Sequence, residues 1–392
     1  MTPGRTHSIN SQHSFSLLIY RLLASLTTLF LCTSFVHAQS FKHAWPNTDF
    51  NIQAIDLKEI MSGGPPRDGI PPIDHPEFDS VTAATSWVAP LEPVISVILN
   101  GQAKAYPLQI MTWHEIVNDH IGNTPITVTF CPLCNASIVF DRRLEDTLLD
   151  FGTTGLLRKS DLVMYDRQTE GWWQQFTGTA IVGDYTHATL TRIPSSIISF
   201  QSFATSHPEG QVLNRETSAI RPYGNNPYPG YDDINSSPFL LSDPTDPRLP
   251  PMERVIGVQV GGQIDGQHKI YPFSLFDNTS IIQDEILDTK LLIFRAGDLL
   301  SALDQRTIAE SKVVAEVVAW DRTLKDTNQT LNFHLESGVL VDKETNSRWS
   351  ISGKAISGPL AGQQLAAVDS GIHFSFAWLA FNPDTLIHSM DE

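Results

Sequence analysis

Two stretches of this chain, 165 positions apart, follow one pattern. Tyr106-Pro107 opens a run that ends in the apolar segment Ile126-Thr127-Val128-Thr129-Phe130. Tyr271-Pro272 opens another that ends at Leu291-Leu292-Ile293-Phe294, and Asp119 and Asp284 fall at the same offset. Past the apolar segment the copies part. The first reads Cys131-Pro132-Leu133-Cys134, whereas Ala296 stands opposite Cys131 in the second. Features common to both copies read as framework, and features present in one copy only are where a function is expected to have been added.

The repeat sets the expected architecture. Val94-Ile95-Ser96-Val97-Ile98-Leu99 reads as a buried strand, Asn100-Gly101 as its turn and Ala103-Lys104-Ala105-Tyr106 as the return strand. Val255 to Val260, followed by Gly261-Gly262, is the counterpart in the second copy. From Pro107 to Asp119 the spacing of Leu108, Met111, Ile116 and Val117 predicts a short helix with Pro107 in its first turn. A strand over 125–130 should lead through the cysteines into a second strand, Ala136 to Phe140. Asp166 and Trp173 recur as Asp342 and Trp349, and we read these pairs as turn formers, buried acceptors and core aromatics. The chain is therefore expected to be a β-rich α+β protein, an internal duplication of two related halves packed about a pseudo-twofold axis. The expected divisions are a signal peptide (1–38), a loop-rich N-terminal segment (39–92), the first half (93–210), a connector (211–252) and the second half (253–392). Arg221 to Met252 holds eight prolines and reads as ordered but irregular.

Arg5 and Arg21, an apolar run from Leu22 to Phe35 and the small-residue pattern Val36-His37-Ala38 together read as a cleaved secretory signal. The run is short and rich in Ser and Thr for a membrane span, so a periplasmic or secreted product is expected, with an uncleaved anchor as the lesser alternative. No later stretch is apolar enough to cross a bilayer. The formal charge of −17 becomes −19 once Arg5 and Arg21 leave with the signal. That surface argues against nucleic acid and anionic membranes as partners and is compatible with a cationic ligand, though solubility alone also explains it; a metal ion or small-molecule ligand is the expected partner.

Several blocks resemble one family. Trp113-His114-Glu115-Ile116-Val117-Asn118-Asp119, Phe130-Cys131-Pro132-Leu133-Cys134, Phe151-Gly152-Thr153-Thr154-Gly155-Leu156-Leu157 and Ser160-Asp161-Leu162-Val163-Met164-Tyr165-Asp166 are similar to the bacterial and archaeal domain of unknown function 3179 family. Tyr223-Gly224-Asn225-Asn226-Pro227-Tyr228, Gly358-Pro359-Leu360-Ala361-Gly362 and Phe374-Ser375-Phe376-Ala377-Trp378 follow in the matching order. The resemblance implies an exported or surface-associated protein, so the chemistry must come from the residues.

Cys131-Pro132-Leu133-Cys134 admits three readings: a metal knuckle, a dithiol–disulfide couple, and a structural disulfide or idle pair. A strand-like run follows it, where redox enzymes place a helix, which favours a ligand hairpin. Two thiolates need further ligands, and no other cysteine remains after the signal. His114, opposite Thr279, and His373, whose first-copy equivalent stretch has no histidine, are the candidates. His114-Glu115 does not make a zinc-protease helix, because Asn118 stands where the second histidine is required. Met164 matches Leu340 and reads as core. Tyr223, Tyr228 and Tyr231 are expected to pin the connector to the body. The expectation is an exported protein with one copper or zinc site, or thiol site, on Cys131 and Cys134 with His114 and His373 as partners. An exported thiol–disulfide oxidoreductase and a non-catalytic binding module with a structural disulfide are the alternatives.

Overall fold

The computed structural model describes residues 41–217, 220–263 and 266–389, together with Met1. The expected signal peptide and Cys32 fall outside them. Strands dominate, as expected of a β-rich α+β chain, and form several small sheets.

The hairpin of Pro93–Leu99 and Gln102–Pro107 turns at Asn100 and Gly101, both at positive φ (52° and 77°), as a two-residue turn requires. Ser195–Ser199 pairs antiparallel with its first strand, and Gln211–Leu213 runs parallel to its second. The same order recurs in the second half. Arg254–Val260 and Gln267–Pro272 form the hairpin, flanked by Asp369–Phe374 and Leu386–Ile387. The four-stranded sheet of Ile116–Ile121, Thr124–Cys131, Ala136–Asp141 and Arg192–Ile193 has its like in Ile281–Ile286, Thr289–Leu300, Val313–Asp321 and Ala366–Ala367. The two halves thus share a strand order. Because Gln211–Leu213 belongs to the first half's sheet, the irregular connector begins after it.

One expectation needs correction. The helix spans only Leu108–His114, and Glu115 then takes a left-handed conformation (φ 59°) that ends it. Ile116, Val117 and Asp119 continue as a strand, in which the β-branched pair is fully buried and suits the pleated surface. In the second half the equivalent turn is the 3-10 helix Phe273–Asp277.

The recurring residues have the framework roles expected. Asp119 accepts from Tyr106 Oη (2.7 Å) and pairs with Lys104, and Asp284 does the same with Tyr271 and Lys269. Asp166 accepts from Trp173 Nε1 and Asp342 from Trp349 Nε1, each at 2.9 Å. The N-terminal segment joins the body through short strands, as Ile60–Ser62 pairs with Phe151–Arg158 and Phe78–Ser80 with Gln211–Leu213. Gly155, at a bulge in Phe151–Arg158, cannot carry a side chain: its φ is +73°, and a Cβ there would lie 1.9 Å from the Pro65 carbonyl oxygen. The largest apolar cluster contains Ile126, Val128 and Phe130 from the first half and Val255, Phe374 and Trp378 from the second, so one core joins both.

Candidate metal centre

Cys131 is the last residue of Thr124–Cys131, and Pro132–Cys134 forms a single 3-10 turn with proline at its start. Asn135 (φ 49°) reverses the chain, and Ala136 pairs back onto Cys131. This is the strand–knuckle–strand hairpin the sequence suggested. Both cysteines are free thiols, so the expected alternative of a structural disulfide is not what the structure contains.

The partner of the knuckle is the tip of another hairpin. Strands Phe151–Arg158 and Asp161–Asp166 turn through Lys159 and Ser160, both at positive φ (53° and 65°) although neither is glycine or asparagine. The Ser160 carbonyl oxygen faces the thiols, 3.9 Å from Cys131 Sγ and 3.5 Å from Cys134 Sγ. Asp161 follows directly. One donor atom from each of Cys131, Cys134 and Asp161 lies within 4.8 Å of the others. Asp161 Oδ2 accepts from Gln174 Nε2 (2.7 Å) and the Phe176 backbone N–H (2.9 Å), whereas Oδ1 has no N–H or O–H partner.

The connector roofs this centre. Tyr231 Oη donates to the Leu133 carbonyl (3.0 Å) inside the knuckle and accepts from the Phe239 N–H (3.2 Å). Ser160 Oγ donates to the Phe239 carbonyl, and Trp113 Nε1 donates to the Asn225 carbonyl (2.9 Å). Tyr228 packs close enough to Glu115 and Cys131 for their charges to oppose ionisation of its hydroxyl, after burial itself. The tyrosines therefore do pin the connector.

Burial governs the protonation of the site. Cys134 and Asp161 are 0 % exposed, Cys131 1 % and Glu115 7 %. Burial raises the Cys131 pKa, and raises that of Cys134 well above its ordinary value. It pushes Asp161 up to about 6 against the hydrogen bonds from Gln174 and Phe176, and Glu115, also facing the Asp161 charge, up to about 8. Neither carboxyl has an ion pair with a lysine or arginine among the described residues, unlike buried Asp119 and Asp232. Four acidic groups thus share a dry site with no resident counter-charge. Such a site holds protons or a cation.

The two predicted histidines take other places. His114 Nδ1 bonds the Pro71 carbonyl and Nε2 the Tyr223 hydroxyl, each at 2.6 Å, so both ring nitrogens are occupied. His373 reaches the junction of the halves but packs between Phe176 and Trp378, with ring centroids 5.0 and 5.1 Å away. Burial, followed by Arg192, lowers its pKa to about 3. Neither histidine joins the group formed by Cys131, Cys134 and Asp161. Asp161 and Glu115 were missed, although the signal that singled out the cysteines applied to them as well. Ser280 stands opposite Glu115, and Ser337 opposite Asp161 in the register of Asp166 and Asp342.

Residues 67–385 match the model of a family described as "Protein of unknown function (DUF3179)". No curated protein and no solved structure matches the chain. No helix among the described residues is long and apolar enough to cross a membrane.

Proposed function

The chain belongs to this DUF3179 family, and from its residues we propose that it is an exported protein in which Cys131, Cys134 and Asp161 hold one soft or borderline metal ion, zinc(II) or copper(I). The observation that supports this most directly is the convergence of two thiols and a carboxyl within 4.8 Å in a buried site without a counter-cation. A mixed set of two sulfurs and one oxygen favours zinc over copper(I), which prefers sulfur throughout. The Ser160 carbonyl, already directed at both thiols, and the Glu115 carboxyl are the oxygens at hand for a fourth position. A bound ion would replace the thiol protons and tie the knuckle to the hairpin tip beneath the connector. Such a closed centre suits a structural role better than turnover. Export rests on the N-terminal segment, with its two arginines, apolar run and Val36-His37-Ala38.

Burial counts against the dithiol acting as an exchange catalyst, since a nucleophilic thiolate needs access and a lowered pKa. Elemental analysis of the purified mature chain, beside a Cys131→Ser/Cys134→Ser variant, tests the proposal. About one metal ion per chain in the wild type and none in the variant is the expected result. A wild-type chain that neither carries metal nor takes up added zinc or copper(I) under reducing conditions would refute it. A readily reversible Cys131–Cys134 disulfide in such a chain would favour the oxidoreductase.

A further inference from the structure

Where the two halves meet, a cleft of about 540 Å³ opens whose lining includes none of the metal-centre residues. Strand register sets its floor. Ser96 pairs with Ser196, so the alternation of strand side chains brings Ser96, Ile98, Ser196 and Ile198 to one face of the sheet. Val318 and Trp320, two residues apart on Val313–Asp321, form the opposite wall. Lys325, Lys354 and His207 also line the cleft.

Four observations distinguish this cleft from a packing gap. Its volume falls within the roughly 300–1,000 Å³ typical of small-molecule sites, which favour junctions of this kind. Although the chain carries 43 acidic residues against 26 lysines and arginines, no aspartate or glutamate lines the cleft. Lys325 and Lys354 are exposed there and form no ion pair among the described residues. The hydroxyls of Ser96, Ser196 and Ser370 likewise have no hydrogen-bond partner among the described residues. An apolar floor, unpaired cations and free hydroxyls together match one class of ligand.

We propose that this cleft binds a small organic anion, its apolar body against Ile98, Ile198, Val318 and Trp320 and its acidic group toward Lys325 and Lys354. The serine hydroxyls donate to the same acidic group or to polar substituents along the body. The lysine charges give the cleft its preference for anions, and the apolar walls supply most of the contact area. The site does not depend on the metal centre.

Titration calorimetry of the mature chain with 1-naphthoate, and with uncharged 1-naphthalenemethanol, tests this. One saturable site per chain is expected, with naphthoate about tenfold tighter than the alcohol at low salt, a gap that narrows as salt is added. Lys325→Gln/Lys354→Gln should abolish the gap while leaving the weaker alcohol binding in place. Ser196→Trp, which fills the floor, should remove both. The lysines are exposed, so the double variant keeps the test valid if the tryptophan variant does not fold. Absence of saturable naphthoate binding, equal affinity for the two compounds, or an undiminished gap in the lysine variant would overturn the proposal.

Discussion

Asp161 is the residue that would distinguish a metal centre from a buried dithiol. Its Oδ2 is satisfied by Gln174 and the Phe176 N–H, while Oδ1 has only the acidic cluster for company. Asp161→Asn keeps the size and an acceptor oxygen but removes the negative charge. If the proposed centre is correct, zinc affinity should fall about 10- to 100-fold or more in a chelator competition, with both cysteines still reactive in the unfolded chain. Unchanged affinity would remove Asp161 from the ligand set and leave the cysteines to bind with other oxygens.

Each half contains a hairpin whose second strand ends in an aspartate that caps the following turn. Asp342 accepts from the Thr345 and Ser347 N–H groups and from Trp349 Nε1, and Asp166 accepts from the Thr169 N–H and Trp173 Nε1. Both aspartates are fully buried. Removing either carboxylate leaves several donors unpaired in the dry interior, at about 1–3 kcal/mol each. Asp342→Ala should therefore lower stability by about 3 kcal/mol or more in urea unfolding, and Asp166→Ala by a similar amount. A loss confined to one of them would mean that the two motifs are equivalent in sequence alone.

Across the whole molecule the connector is held by charge as well as by tyrosines. Asp232, within it, pairs with Arg254 (2.6 Å) and Lys312 (3.0 Å) of the second half and accepts from Ser301 Oγ. Burial pushes this carboxyl up, but Arg254, Ser301 and Lys312 outweigh it and hold its pKa below the ordinary value. A carboxylate whose folded-state pKa is depressed adds stability above its unfolded value of roughly 4. That stability is lost as pH falls from there through the lower folded value. Asp232→Asn should cost about 3 kcal/mol at pH 7, since it leaves two cations facing a neutral amide. It should also flatten the acid limb of the stability curve below about pH 4. An acid limb parallel to that of the wild type would show that other carboxylates carry the transition.

What the sequence alone determined was local and repetitive. Apolar runs bounded by turn residues gave the strands, Asn100-Gly101 gave the hairpin turn, and comparison of the copies picked out Cys131 and Cys134 while assigning the paired aspartates and tryptophans to framework. The helix was read too long because Ile116 and Val117 suit either period, and burial in the sheet decided between them. Which groups face the thiols was settled only by tertiary structure. Strands of eight and six residues, Phe151–Arg158 and Asp161–Asp166, carry Ser160 and Asp161 to the knuckle, whereas their second-half likes, Phe333–Glu336 and Val339–Asp342, have four residues each. His114 and His373 had the right chemistry for ligands, but a carbonyl, a hydroxyl and two aromatic rings reached them first. Ligand type can be read from a chain; ligand distance depends on how far each hairpin extends across the fold.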